Sequence, residues 1–291
     1  MSNMPTNISN LSYVDPKAEI GEDVTIGPFC HVGPHVTIGN GTVLDSHISV
    51  SGHTTIGERN RFFPTAVIGS EPQDAGYSGA PTRVVIGDDN LFREGCTIHR
   101  GAEKEDHCTR IGNRNTFLCN SHVAHNCRIF DDVTLVNGVL LGGHVHVHDR
   151  AIISGNTVVH QFCTVGTLAF ITGASRTTVD VPPFMICTGA DQFRIRTVNI
   201  VGMQRAGISE SSVTAIRRAH RLIYRKNKKI HEVQEIFSQE LDGVIPFALN
   251  TLFDHFEGIK GSKAGRGREE AARNAKYNPE ENDQNSTRRA A

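Results

Sequence analysis

The sequence predicts a mainly β fold: a parallel β-helix of hexapeptide repeats, followed by a small C-terminal α-helical domain. Three observations carry that prediction. A bulky apolar residue recurs every six positions. A glycine often follows that residue. Past the paired prolines of "DVPPF" (180–184) the six-residue period gives way to a helical one.

The first run of apolar positions is Val14, Ile20, Ile26, Val32, Ile38, Leu44, Val50, Ile56, Phe62 and Ile68. A short run follows at Ile86, Phe92 and Ile98. The third begins at Ile111 and steps through Phe117, Val123, Ile129, Leu135, Leu141, Val147, Ile153, Val159 and Val165 to Ile171 without a failure. A period of six is neither the 3.6 of a helix nor the 2 of a plain strand. It suits a short strand plus a corner, with one apolar side chain per strand pointing inward. Three such units close a triangular coil, and successive coils stack about 4.7–4.9 Å apart. Glycines such as Gly21, Gly27, Gly39, Gly57 and Gly112 are expected to serve the corners.

Two stretches break the ladder, 69–85 ("GSEPQDAGYSGAPTRVV") and 99–110 ("HRGAEKEDHCTR"). On a solenoid such insertions leave the wall as loops, where function tends to collect. The prism is therefore assigned to 1–187, and a linker with a helical domain to 188–257. A helix is expected after Ser209 and Ser212, with Val213, Ile216, Ala219, Leu222 and Ile223 on its apolar side. Two shorter helices are expected near 229–241 and 244–257. The charged segment 258–291 reads as a disordered tail.

Composition narrows the function. Lys and Arg number 30 against 31 Asp and Glu, which argues against a nucleic-acid binder. No apolar run reaches the 18 or so residues of a membrane span. The start "MSNMPTNISN" lacks the basic and apolar regions of a secretory signal. Seven scattered cysteines without a C-x-x-C pair read as reduced thiols, so the expected address is cytoplasmic. No metal or cofactor is expected.

The segment "SHVAHNC" (121–127) holds two histidines three apart, the spacing of one helix face or of two metal ligands. The ladder decides against the helix, because Val123 is an inward position. Residues eighteen apart then share a column. Gly143 lies above His125, and Gln161 above Gly143. The next column runs Ala124, Gly142, His160. His99 falls beneath Ala124 if the second insertion replaces one step, and Asn126 lies beneath His144. An imidazole can take a proton near neutral pH. A glycine one coil away can offer a bare N–H to an oxyanion. Such a pair suits direct acyl transfer from a thioester to a hydroxyl or amine. A lone histidine is more often an ordinary surface or hydrogen-bonded residue; His31, His35, His47 and His53 read as solvated, "HVHVH" (144–148) as an alternating strand and Cys127 as packing. The column is what lifts His125 above that background.

The stretches "IGPFCHVGPHVTIG", "QDAGYSGAPTRVVIGDDN", "TIHRG", "SHVAHNC", "GGHVHV", "VVHQFCTVG" and "DVPPF" closely resemble the acyl-[acyl carrier protein]–UDP-N-acetylglucosamine O-acyltransferase family, which acts first in lipid A synthesis. The likeness runs from about residue 12 to 257. It implies a left-handed coil. It implies His125 as general base and the Gly143 N–H as oxyanion donor. Gln73 and Asp74 would meet the sugar and the acyl donor. His99, His122, His144, His160 and Gln161 would line the pocket, and Asn199 and Arg205 would contact nucleotide and phosphate. Gly173 stands where acyl length is limited, and glycine there implies a longer groove. The resemblance further implies a homotrimer with sites in the clefts between prisms, and an acidic acyl carrier protein docking on basic surface. Four positions depart from the family pattern. Gly76 replaces a lysine, Asn126 an acidic residue, Val201 a glutamate and Ala206 an arginine.

Three other readings stay open at this point. A diverged paralogue could acylate another nucleotide amino sugar. A trimeric prism with histidines from neighbouring chains could hold zinc as a carbonic-anhydrase-like hydratase. A prism without an active site could serve as a scaffold.

Overall fold

A computed structural model describes residues 6–241, 243–262, 264–269 and 272. Its main body is a left-handed parallel β-helix with three faces. The first face begins with Asn7–Ile8, the second with Tyr13–Val14 and the third with Glu19–Ile20. Strands pair in parallel at a register of eighteen, as in Phe117↔Leu135, Val123↔Leu141 and Ile129↔Val147. The predicted ladder residues are the core. Ile26, Val32, Leu44, Phe62, Val123, Leu135, Val147 and Ile171 are all buried. Burial of each such side chain is worth about 1.5–3 kcal/mol, so the repeat supplies the main apolar driving force. Where the insertions interrupt the repeat, Phe62, Phe92 and Phe117 stack in the core with ring centroids 4.5 and 4.6 Å apart. All seven cysteines are free, and six are buried.

The corner chemistry differs from the expectation. The tight turn sits three residues after the inward position, where φ is positive. Non-glycine residues usually hold it, among them Asp23, Asn120, Asn126, Asp132, His144 and Phe162. Asn and Asp tolerate this conformation better than most. The glycine directly after the inward residue answers a different demand, close approach by the next coil. A Cβ on Gly27 would lie 1.7 Å from the Asp45 carbonyl oxygen, and one on Gly39 would lie 2.6 Å from Gly57.

The two insertions interrupt the register without ending it. Arg61↔Leu91 spans thirty residues and Leu91↔Thr116 spans twenty-five. The first loop leaves after Val67–Ser70 and returns at Arg83–Ile86; the second leaves after Thr97–His99 and returns at Cys108–Ile111. Both therefore emerge from the corner between the second and third faces, one above the other.

The ladder continues past "DVPPF". Met185–Thr188 pairs in parallel with Phe170–Ile171, then antiparallel with Arg194–Val198. The 187/188 division falls inside that strand. The helices α1 (Ile200–Arg205), α2 (Glu210–His220), α3 (Ile230–Glu240) and α4 (Phe247–Gly258) follow, with a π-helical turn (Arg221–Arg225) after α2. The sequence pattern gives no sign of α1. α2 starts where Ser209 accepts from the Ser212 N–H, and it buries Val213, Ile216 and Ala219. The expected disorder from 258 does not hold throughout. Residues 264–269 return to the prism, where the Gly265 carbonyl accepts from the Asp180 N–H at 2.7 Å. Residues 273–291 lie outside the described residues. Among the described residues, no helix is long and apolar enough to cross a membrane.

Candidate active site

His125 sits on the corner between the second and third faces, on the coil above both loops. It is 8% exposed. Its Nδ1 lies 3.0 Å from Asn126 Oδ1. That amide is oriented by its neighbours: Oδ1 accepts from the Ala102 N–H at 2.8 Å, and Nδ2 donates to the Lys104 carbonyl at 2.7 Å. An amide oxygen can only accept, so the His125 proton resides on Nδ1. Nε2 is left as the basic nitrogen. Burial holds the imidazole below its ordinary pKa, and nearby His144 and Lys104 push the same way against Asn126 and Asp74. At neutral pH it is a free base.

Nε2 faces Asp74 Oδ2 at 3.8 Å. Asp74 Oδ2 also accepts from Lys104 Nζ at 2.5 Å, and Oδ1 accepts from the Gly76 N–H at 2.9 Å. The Lys104 hydrogen bond, and then the Gly76 one, keep this carboxyl below its usual range. An imidazolium formed at Nε2 would find a carboxylate beside it.

Gly143 is stacked on His125 as the eighteen-residue column requires. A Cβ there would lie 2.5 Å from His125 Cε1 and 2.6 Å from Nε2, so only glycine admits the ring. Among the described residues nothing accepts from the Gly143 N–H. His144, 2% exposed, donates its backbone N–H to the His125 carbonyl at 3.0 Å. Its ring stands edge-on to His125 with centroids 5.2 Å apart and stacks on Phe162 at 4.3 Å.

His99 pairs with the second face one step below, in register with Ala124 as expected from Ile98↔Val123. His99 and His122 meet edge-on at 5.0 Å. His122 Nδ1 lies 2.8 Å from Thr97 Oγ1, and burial, reinforced by His99 and His125, pushes its pKa down to about 4. Gln73 is exposed on the first loop. His160 and Gln161 stand on the coil above, His160 Nδ1 2.9 Å from the Gln161 carbonyl.

Three expected site residues lie elsewhere. Gly173 is exposed at the corner between the first and second faces. Asn199 and Arg205 line a cavity of about 580 Å³ over the first face, with Arg150, Phe170 and Val201. Asn199 works structurally. Its Oδ1 accepts from the Gly202 N–H at 3.0 Å, capping α1, while its Nδ2 donates to the Leu168 carbonyl at 2.9 Å. Arg205 is exposed and pairs with no described carboxylate. Sequence reasoning missed Lys104 and Glu105. Their only signal was the charge of the second insertion. Among the described residues, no group of three His, Cys, Asp or Glu side chains converges as metal ligands.

A β-helix corner that sets a buried free-base imidazole beside an unused glycine N–H, under two loops, defines a hexapeptide-repeat acyltransferase. Comparison with known proteins specifies which. Residues 17–47 match the bacterial transferase hexapeptide repeat, and residues 180–251 match domain 2 of the UDP-N-acetylglucosamine O-acyltransferases. The acyl-[acyl-carrier-protein]–UDP-N-acetylglucosamine O-acyltransferase of Alkalilimnicola ehrlichii is 45% identical over 230 residues, 79% of this chain and 89% of that one. That of Gloeothece citriformis is 46% identical over 184 residues, 63% of this chain and 66% of the relative. The solved UDP-N-acetylglucosamine acyltransferase of Francisella novicida superposes with a TM-score of 0.82 at 38% identity, covering 89% of this chain and 92% of that one. The chain belongs to the acyl-[acyl-carrier-protein]–UDP-N-acetylglucosamine O-acyltransferase family.

Proposed function

We propose that the protein moves an acyl chain from acyl carrier protein to the 3-hydroxyl of UDP-N-acetylglucosamine, at the head of lipid A synthesis. One observation carries this reading: His125 Nε2 is basic and Gly143 keeps an unengaged N–H beside it. In the reaction, Nε2 takes the hydroxyl proton as the sugar oxygen attacks the thioester carbonyl. The Gly143 N–H receives the oxyanion. As the tetrahedral intermediate collapses, the C–S bond breaks and the carrier's thiolate leaves with the proton held by His125. Asp74 stabilises the imidazolium between these steps, and Asn126 keeps the working nitrogen facing the substrate. Lys104, fixed by Asp74, brings a cation to the loop where Gly76 leaves none.

The division of the expected residues supports a shared site. The His125 corner and the Asn199–Arg205 cavity face different ways in one chain. A threefold assembly would bring the corner of one prism against the first face of the next. Apolar side chains left outward on the faces, Leu140 and Val158 at 44% and 43% exposure, suit burial between copies. Arg217, Arg218 and Arg221 on and beside α2 line a basic hollow that suits an acidic carrier. Gly173 leaves room for a long acyl chain.

The test incubates purified protein with hydroxyacyl carrier protein and UDP-N-acetylglucosamine and reads the product by mass. A sugar nucleotide heavier by one acyl group is expected. Acylation of a different nucleotide amino sugar in preference, or of none, would overturn the assignment.

A further inference from the structure

The segment 264–269 is seated on the prism by a dedicated anchor. Asp180 is 8% exposed. Its Oδ1 accepts from the Thr164 N–H at 2.7 Å and its Oδ2 from the Gly267 N–H at 3.0 Å. Its own N–H donates to the Gly265 carbonyl. The two glycines are demanded by the fit. Gly265 has φ +65°, and a Cβ on Gly267 would lie 1.9 Å from the Gly258 carbonyl oxygen. Arg266 donates to the Thr178 carbonyl at 2.5 Å and pairs with Glu269.

This anchoring delivers Arg268 to the flank of the candidate active site. Its guanidinium donates to Glu105 Oε1 at 2.9 Å and to the His144 carbonyl. The other Glu105 oxygen, Oε2, lies 3.4 Å from His144 Nδ1. His144 in turn stands edge-on to His125. Burial pushes the Glu105 carboxyl up, but His144 and then Arg268 outweigh it, so Glu105 is held ionised below its ordinary range. The contacts therefore run Arg268, Glu105, His144, His125, and Arg268 enters them from 124 residues beyond His144 in sequence.

We propose that Arg268 is a positioning residue for acyl transfer: through Glu105 and the His144 backbone it fixes the His144 ring, and with it the wall against which His125 works. The proposal rests on the assigned role of His125. Neither Arg268 nor Glu105 touches the reacting atoms. Arg268 holds one Glu105 oxygen and the His144 carbonyl, while the other Glu105 oxygen faces the His144 ring. Without Arg268 the carboxylate loses that anchor, and the ring it faces loses its fixed place beside His125. Other titratable groups stand around these contacts: Asp74 and Lys104 reach His125 from the two loops, His99 and His122 lie below it, and His146, Arg128 and Asp180 surround Glu105 and Arg268.

The experiment follows kcat and KM in the full chain for Arg268→Ala and Arg268→Lys, with the His144 ring shifts of ¹³C-labelled protein as the second readout. For Arg268→Ala, kcat is expected to fall about tenfold with KM within about twofold, and the His144 ring shifts to move. Arg268→Lys keeps the cation beside Glu105 and should recover most of both. Unmoved readouts overturn the proposal. So does a loss that Arg268→Lys does not recover, or a lower kcat with unmoved ring shifts, which would make the segment a strap and nothing more. Should Arg268→Ala fail to fold, Glu105→Gln carries the test, with a lower kcat and moved ring shifts expected; unmoved shifts overturn it. Inactive wild-type protein would refute the assigned reaction instead, and the ring shifts would still judge the contact chain.

Discussion

One column of the prism carries two versions of the same feature. It runs His35, His53, Arg83, Cys108, Asn126, His144 and Phe162, as the pairings Thr37↔Thr55, His53↔Arg83, Arg83↔Cys108, Arg110↔Arg128, Arg128↔His146 and His146↔Thr164 require. Low on the prism His35 and His53 stack at 4.4 Å and are exposed. High on the prism His144 stacks on Phe162 at 4.3 Å and is buried. The wall gives both the same geometry. The two loops leave the wall between these levels: Arg100 reaches down toward His53, whereas Asp74, Lys104 and Glu105 turn up toward His125 and His144. A regular coil can align imidazoles; it takes the irregular insertions to bury them and set charges around them.

Exchanging the two regions in experiment should separate them widely. His125→Ala is expected to lower kcat by about 10²–10⁴-fold, the range for loss of a general base. His53→Ala should leave acyl transfer within about twofold, as expected of a surface side chain away from the site. Comparable losses in both variants would erase the distinction. Gly143→Ala comes next, at about 10²–10³-fold in kcat, since the added Cβ collides with the His125 ring and displaces the oxyanion donor. At Gly33, directly after inward Val32 on the lower prism, an added Cβ meets nothing nearer than 3.6 Å, so Gly33→Ala should be silent in the same assay.

Asp74→Asn should lower kcat less and change its pH dependence. The carboxylate favours the protonated form of His125. Its removal lowers the imidazole pKa further, so the acid limb of kcat should shift to lower pH. A limb that moved upward would contradict the 3.8 Å contact as the relevant one.

The wall was legible in the sequence and the loops were not, for a physical reason. A period of six sets the inward side chains, and a coil of eighteen then fixes that His125 meets Gly143 and that His99 lies below Ala124. Backbone pairing repeats at every step, so an error in one coil would propagate and be noticed. The conformation of 100–107 has no such repetition. Nothing in "GAEKEDH" says that Lys104 turns in toward Asp74 while Glu105 turns toward His144. The glycine pattern was visible but its cause was not. Turns three residues after the inward position take Asn, Asp or even Phe, and the glycines answer to the neighbouring coil. Asn199 was named by resemblance alone; its cap on α1 was not legible, because α1 itself left no pattern in the sequence. The charged run after 258 hid an anchored segment, since Gly265, Gly267 and Asp180 look ordinary until placed together.

The smallest expected effect concerns stability and sharpens the comparison from the solvent side. His122 is held neutral by burial, with a folded pKa of about 4. In the unfolded chain the same group titrates near about 6.5. Between these values the unfolded state binds the extra proton, so stability is full above about pH 6.5 and falls as pH drops toward about 4. His122→Gln keeps a polar partner for Thr97 and removes that proton. Its denaturant midpoint should fall less steeply with pH across this window, by up to about 1.4 kcal/mol per pH unit for one proton. His53→Gln should flatten the curve less, because its ring is exposed and burial lowers its pKa only in company with His35 and Arg100. Equal flattening in the two variants would mean that the loops do not desolvate the upper corner, and the contrast between the lower and upper prism would fail at its root.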